Sequence, residues 1–545
     1  MFFFGGLFSV SPALRADDEQ ANPGAAQTAP ELPAIRFARK DAAKLAERAK
    51  QLADVASQAA AQSENATKAV ADAKAAVAVI DKTLADIAAA IPLAEQTKVA
   101  ADKSVTDAQE ALKKTEAEKA NDQEAINAAK TVVEIATKAA AEKAKQLVDL
   151  GEAKKRSEAD KPIAAKKVTD TEAALKPLAD AKAAADKAAT EAQAAVQTAQ
   201  KRLDAFIAAP PKADPAVIRL VQKFTHTRPL LACRFDANAD YVITGAQDNL
   251  VHRWDVLTGS HAEFAGHRSW VNALAMHPST NLLVSGANEG QLIWWNVLDA
   301  TPTAQRTIAA HQGYVRAVAI SPDGLLVASA GNDKLVKVWN VADGALVQTL
   351  TGHGSHVYNV GFHPSGKFIV SGDLKGVLKQ WEVGTWKHVR DLDAGILTKY
   401  DPTFKADCGG IRSMDFSPDG KLLAAAGIAD VTNAFAGVGV PTVALFDFET
   451  GARTKVLKPK DAFQGTCWGV KFHPSGEFLV GAGGGGAGSL WFWKPDDEKS
   501  FSAFKLPTVA YDVTFHPDGL RLAVPLYDKT LVVYDLGPKL DVAAK

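Results

Sequence analysis

Residues 310–340 read AHQGYVRAVAISPDGLLVASAGNDKLVKVWN. Val315-Arg-Ala-Val-Ala-Ile320 is short, apolar and partly β-branched, the composition of a strand covered on both faces. Ser321-Pro-Asp-Gly324 is a tight turn, because proline presets φ near its start and glycine accepts the left-handed backbone at its end. A second apolar stretch follows, then the small polar loop Gly331-Asn-Asp-Lys334, then a strand that ends in Trp339-Asn340. The same order recurs downstream and upstream. The turn returns as His363-Pro-Ser-Gly, Ser417-Pro-Asp-Gly, His473-Pro-Ser-Gly and His516-Pro-Asp-Gly, and the closing aromatic as Trp254, Trp295, Trp381, Phe446, Trp493 and Tyr534. Counted from the last apolar residue of each first strand (Phe235, Met276, Ile320, Phe362, Phe416, Phe472, Phe515), the distance to that aromatic is 19, 19, 19, 19, 30, 21 and 19. A spacing held in five of seven copies marks an internal repeat, and a period in this range means a propeller or solenoid.

With Gly266-His267 and Gly352-His353 at repeat starts and Trp254-Asp255, Trp295-Asn296 and Trp339-Asn340 at repeat ends, residues 217–536 resemble the WD-repeat family. The resemblance implies one four-stranded blade per copy, hence an all-β seven-bladed propeller around a channel, preceded here by an α-helical region. It also implies a buried hydrogen-bond chain from the starting His, through a Ser or Thr and an Asp, to the closing Trp. Carried over, these are His226, Thr244, Asp248 and Trp254 in the first copy and His311, Ser329, Asp333 and Trp339 in the third. The second copy has His267, Ser285 and Trp295 but Glu289 in the Asp position. The fourth has His353, Ser371 and Trp381 but Lys375 there. Copies five to seven put Asp407, Phe463 and Leu506 where the His should be, so their blades are expected to rest on apolar packing and to be less rigid.

Upstream the composition changes abruptly. Residues 41–200 hold 52 Ala, one Gly and no Phe, Trp or Tyr, which is a helical composition without the bulk for a broad core. A 4-3 spacing runs through Ala185, Ala189, Ala192, Val196, Ala199, Leu203 and Phe206, and through Ile80, Leu84, Ile87 and Ile91; Ile126, Val133, Ala140 and Leu147 recur every seven. These read as coiled-coil seams. Pro92, Gly151, Pro162 and Pro177 are the expected turns or kinks, either folding the region into antiparallel hairpins or bending a long stalk. The region serves as a spacer or as an oligomeriser, a homo-oligomer forming through the coiled coil in the second case.

Phe2–Val10 is apolar and leads through Ser-Pro-Ala-Leu-Arg-Ala to Asp17-Asp18, the pattern of a signal peptide cleaved after Ala16, though no basic residue precedes it. The expected organisation is a signal peptide at 1–16, a disordered tether at 17–35, helical coiled coil at 36–208, a proline-rich linker at 209–216, the propeller at 217–536 and a tail at 537–545. Export, to a periplasm or outside the cell, is the expected localisation, with the cytoplasm as the alternative. The layout resembles exported WD-repeat proteins of planctomycete-type bacteria. No apolar run reaches the ~18 residues a membrane-spanning helix needs. Sixty-two basic against 63 acidic side chains give a net charge of -1, which offers no field for phosphate backbones and argues against nucleic acid as a partner. Three cysteines make neither a disulfide framework nor a four-thiolate zinc site.

Chemistry-bearing motifs dissolve on inspection. Gly361-Phe-His-Pro-Ser-Gly-Lys367 and Gly481-Ala-Gly-Gly-Gly-Gly486 imitate phosphate loops, yet each leads into a strand rather than a helix N-terminus. His252, His261, His356 and His388 show no metal-ligand spacing, so neither a metal nor a cofactor is expected. Cys233 and Cys467 fall on core strand positions. The expected function is a non-enzymatic protein-protein interaction scaffold, with a cytosolic scaffold or a propeller enzyme acting at the channel mouth as alternatives. Partners are expected near blades 4–6, because the fifth copy carries about 11 extra residues around 429–441 and 35 residues separate Trp381 from Phe416. First-strand residues beside these insertions give the expected contact set: Trp270, Tyr314, Arg316, His356, Tyr358, Arg412, Trp468 and Tyr511, types common in binding hot spots.

Overall fold

The Ser321 turn closes as its sequence dictates. Gly324 N donates to Ser321 O at 2.9 Å with φ at +77°, and Leu326 N donates to Ser321 Oγ at 2.9 Å. That turn joins Val315–Ile320 to Leu326–Gly331; Val336–Asn340 and Leu346–Leu350 complete an antiparallel four-stranded sheet in chain order. The computed structural model describes residues 31–403, 405–433 and 437–539, and seven such sheets occur in it. The expected signal peptide, residues 17–30 of the tether and residues 540–545 of the tail lie outside the described residues.

Blade 1 begins at Leu230, blade 2 at Val271, blade 3 at Val315, blade 4 at Val357, blade 5 at Ser413 and blade 6 at Thr466. Blade 7 takes three strands from residues 514–535, and its outer strand is Arg219–Thr225, which pairs with Thr530–Asp535. The ring is therefore closed by the two ends of the propeller sequence, as the seven-bladed fold class requires. Arg219 reinforces the closure by donating to Asp535 Oδ2 at 2.9 Å and to Gly537 O at 2.7 Å. Fully apolar seams lie between blades. Trp295 and Phe264 pack with Val271 and Leu283, while Trp491 and Trp493 pack with Val443, Leu445 and Leu457. A fully buried large side chain adds roughly 1.5 to 3 kcal/mol relative to leaving it in water, so each seam is a substantial contribution.

Two helices of 86 residues each, α1 (Pro33–Glu118) and α2 (Gln123–Ala208), precede the propeller. Their outer ends belong to the propeller body. Ala34, Ala38, Leu203 and Phe206 form an apolar cluster with Leu520, and the Phe37 ring meets His516 edge-on at 4.9 Å.

Residues 40–202 form a second unit, a coiled-coil-like antiparallel pair. Lys74 pairs with Glu172 at 2.8 Å and Asp81 with Lys161 at 2.7 Å, which fixes the direction. The seam residues Ile80, Leu84, Ile87, Ile91, Ile126, Val133, Ala140 and Leu147 are all buried or half-buried. The reversal is not at the expected positions. Pro92, Gly151, Pro162 and Pro177 all lie inside helices, and the chain turns at residues 119–122. Each proline removes one hydrogen bond; at Pro92 and Pro177 the 4-3 seam of half-buried residues continues on both sides and packing against the partner helix offsets the loss, whereas residues 158–163 around Pro162 are all exposed. The turn itself is set by Asp122, whose Oδ1 accepts from Ala125 N at 3.0 Å as an N-cap.

Candidate functional site

Buried hydrogen-bond chains inside the blades serve the propeller's own stability. In blade 3, Trp339 Nε1 donates to Ser329 Oγ (2.9 Å), Ser329 Oγ lies 2.8 Å from His311 Nε2, and His311 Nδ1 lies 2.9 Å from Asp333 Oδ1. Blade 2 matches it through Trp295, Ser285 and His267, with Glu289 Oε1 reaching His267 Nδ1 at 2.6 Å. The longer glutamate spans the same gap. In blade 4, Trp381 and His353 share Ser371, but the carboxylate is Asp373, 3.1 Å from His353 Nδ1, and not a residue at position 375. Lys375 is instead a half-exposed side chain 3.8 Å from Asp407. Burial pushes the Asp333 and Glu289 carboxyls up, and the bonds from His311 and His267 outweigh it and hold both below their ordinary values.

Blade 1 is wired differently. Trp254 Nε1 reaches Thr244 Oγ1 at 2.9 Å, but His226 turns away from Thr244: its Nδ1 accepts from Arg228 N and its Nε2 lies 3.2 Å from Asp248 Oδ2. His252 takes the second approach to Asp248 at 3.1 Å and passes its Nδ1 to His261 Nε2 at 3.0 Å. Burial pulls the His252 imidazole down to about 4, so it is neutral at physiological pH. His226, Asp248 and His252 lie close enough to share one metal ion, as do His252, His261 and Glu263. Asp248, His226 and His252 are already committed to hydrogen bonds with one another, and we assign them to the blade's internal network. His252, set aside in the sequence for want of metal-ligand spacing, is thus part of the blade 1 network; its cue, a histidine four residues after Asp248, is absent from the other copies.

Blades 5 to 7 lack the chain. The Phe463 ring meets Trp491 edge-on at 5.0 Å, Trp493 donates to a backbone carbonyl, Lys458 O, at 2.9 Å, and Phe446 is buried in an apolar cluster with Phe448, Leu423 and Ala444. Cys233 and Cys467 are buried, and burial pushes both thiols up, Cys467 to about 12; the half-exposed Cys408 is raised too, by burial and then by Asp401.

The two long insertions meet on one rim. The 35-residue connection folds into a hairpin, Thr398–Asp401 with Ala406–Gly409, and the fifth blade's extra residues lengthen its middle strands to Leu422–Asn433 and Val438–Asp447. Lys399 Nζ donates to Val431 O at 2.6 Å, joining the two.

Beside them a row of side chains crosses five successive blades. The Arg316 guanidinium sits 4.8 Å from the Tyr314 ring centre and 4.7 Å from that of Tyr358; Arg412 sits 4.8 Å from Tyr358 and 5.0 Å from Trp468; Trp468 meets Tyr511 at 6.2 Å, and Tyr511 meets Tyr527 at 6.1 Å. Local backbone geometry places three members of the row, Arg316, Tyr358 and Trp468. In five blades the first strand slips register by one residue against the second, and the residue at the slip is Leu231, Asn272, Arg316, Tyr358 or Trp468. Such a bulge re-aims one side chain out of the sheet. Six of the eight expected contact residues thus lie in the row. Trp270, which is exposed, and His356 are outside it, and Tyr527 joins it from the turn after the second strand of blade 7.

Below the row lies a channel cavity of about 370 Å³, lined among others by Arg234, Asn272, Arg316, Arg412, Lys471 and Asp512. Arg234 pairs with Asp512 at 2.6 Å and Lys471 with Asp415 at 2.8 Å. Arg316 gives its Nε to the neutral Asn332 Oδ1 at 2.8 Å, and the buried Arg412 Nε has no hydrogen-bond partner. Burial lowers both guanidinium groups from their ordinary value, and the Arg412 charge adds to the effect on Arg316.

Five segments of the chain, 218–255, 259–296, 302–340, 344–382 and 399–430, match the model of the WD domain, G-beta repeat. Each match to the first four blades starts in the outer strand of the preceding blade, so the sequence unit and the blade are offset by one strand. An uncharacterized WD repeat-containing protein of Schizosaccharomyces pombe is 26% identical over 81 residues, 15% of this chain and 20% of that protein. A U3 snoRNP-associated protein-like protein of Arabidopsis thaliana is 36% identical over 72 residues, 13% of this chain and 15% of its own length. Nuclear distribution protein nudF of Aspergillus flavus is 36% identical over 59 residues, covering 11% and 13%. The chain thus spans a fifth or less of these curated relatives. All three are eukaryotic, and they lend no support to the likeness with exported bacterial proteins. No described helix is long and apolar enough to cross a membrane.

Proposed function

We propose that this WD-repeat propeller is a non-enzymatic scaffold whose protein partner docks on the rim that carries the two insertions and the aromatic–guanidinium row. WD-repeat propellers generally act as protein-interaction scaffolds. The observation that carries the reading is the joining of both insertions through Lys399 and Val431 beside a row of Tyr, Trp and Arg. Insertions in a repeat fold fall in the loops of one face, which is where such folds bind. Large, partly pre-ordered aromatic and Arg side chains give much contact area for little lost conformational entropy.

The test is affinity capture with the full chain against a variant carrying Tyr358→Ala, Arg412→Ala and Trp468→Ala together, both verified as folded. Loss of specific partners is the expected result, and a variant that retains every partner refutes the docking face. Export is proposed from residues 1–16 alone, and a mature N-terminus at Asp17 by mass spectrometry is the outcome that supports it.

A further inference from the structure

We infer that the channel mouth is a receptor for carboxylate side chains, and that the segment docking there is an extended acidic peptide of a partner protein, a refinement that rests on the docking face proposed above. Four basic groups line the cavity, and two of them are already neutralised, Arg234 by Asp512 and Lys471 by Asp415. Arg316 and Arg412 face no carboxylate among the described residues. Removing a guanidinium from water without pairing it is costly, and aromatic faces recover only part of that cost. The two charges sit on one Tyr358 ring, each within 4.8 Å of its centre, and so repel one another. An anion that bridges them relieves both penalties at once, through charge-assisted and bidentate hydrogen bonds.

Spacing selects the form of the anion. Residues two apart in an extended strand project to the same side about 6.6 Å apart, at ~3.3 Å per residue. Alternate Asp or Glu residues therefore present their carboxylates on one side of the segment, one for Arg316 and the next for Arg412, whose guanidinium groups lie 4.7 and 4.8 Å from the Tyr358 ring centre. Tyr314, Trp468 and Tyr511 flank the path and cover the peptide's apolar stems. The chain's overall charge of -1 provides no general attraction for acidic peptides, so binding would have to come from this mouth.

The experiment is fluorescence anisotropy on the full chain with a labelled ten-residue peptide of alternating Asp and Ser, its Asn-Ser isostere, and inorganic phosphate as competitor. The Asp peptide is expected to bind saturably and to weaken with added salt, the Asn peptide to bind at least tenfold more weakly, and Arg316→Gln or Arg412→Gln to lose tenfold or more. Arg316→Lys keeps the charge but loses the planar fork, and is expected to bind more tightly than Arg316→Gln and less tightly than the unaltered chain. If Arg412→Gln fails to fold, the half-exposed Arg316 variants decide the matter. Equal binding of the Asn peptide, absence of saturable binding, or indifference to the Arg316 substitution overturns the proposal. Displacement of the Asp peptide by millimolar phosphate overturns the assignment to carboxylates. Loss of partners from the triple rim variant with no Asp-peptide binding leaves the docking face standing and removes this refinement; Arg316-dependent peptide binding with all partners retained does the reverse.

Discussion

Trp339 donates its indole N–H to Ser329 Oγ across 2.9 Å, from the third strand of blade 3 to the second. The serine hydroxyl then turns to His311, so one buried tryptophan stands at the head of a chain that ends on Asp333. Replacing it with phenylalanine removes the donor and leaves a void beside Ser329. Trp339→Phe is expected to destabilise by about 1 to 3 kcal/mol, the cost of an unsatisfied buried group. Tyr534→Phe, in a blade with no such chain, is expected to cost less. Urea melts of the two full-length variants giving the opposite order would refute this.

Asp373 does the work of the carboxylate in blade 4. It is buried, accepts from Lys375 N at 2.9 Å and Val377 N at 3.0 Å, and holds His353. Asp373→Ala orphans all three and is expected to cost about 2 to 4 kcal/mol, whereas Lys375→Ala should stay within about 0.5 kcal/mol, as surface changes do. Comparable losses for the two variants would return the role to position 375.

Closure through Arg219–Thr225 makes the ring depend on a strand far from its sheet in sequence. A chain starting at residue 226 lacks that strand and exposes Leu531 and Val533; one starting at 212 keeps it. Calorimetry is expected to show the shorter chain melting well below the longer, and coincident melting would count against the closure.

Acid stability should report on blade 7. Burial would push the Asp518 carboxyl up, but Arg521 and His516 hold it well below the usual range. A carboxyl whose folded value is depressed adds stability above its unfolded value, near 3.9, and that stability is lost as pH falls through the folded value. Urea midpoints measured from pH 5 down to 2.5 are expected to drop steeply, and Asp518→Asn to flatten that limb. An unchanged slope in the variant would show that other carboxyls set it.

The blade count and the ring's closing aromatics were legible because a repeat averages out local ambiguity: Phe235 to Trp254 and Phe515 to Tyr534 keep the distance that five of the seven copies share. The reversal of the helices was not, since Pro92 and Pro177 look like breakers until a seam packs across them, and the capping role of Asp122 is a single-residue signal in a polar segment. Aligning copies by position also hid Asp373, because blade 4 keeps the same turn (Gly376 N to Asp373 O and Lys334 N to Gly331 O, both 3.2 Å) but carries its carboxylate where blade 3 has Gly331. The row from Tyr314 to Tyr511 was partly visible as residue types, but its continuity depends on register slips that leave no mark in composition.

Blade 7 joins Arg219 to Asp535, so its outer strand leaves the ribosome more than three hundred residues before its partner does. During synthesis at about 5 to 20 residues per second, that strand waits tens of seconds with unpaired backbone edges while six blades form behind it. Any structure the nascent propeller holds in that interval is an open arc with two unsealed ends, and until its own tail emerges those ends are open to pairing with another chain. Quality control of this protein therefore has a defined clock: the species to be shielded from aggregation is the six-blade arc, and it ceases to exist when residues 530–535 arrive.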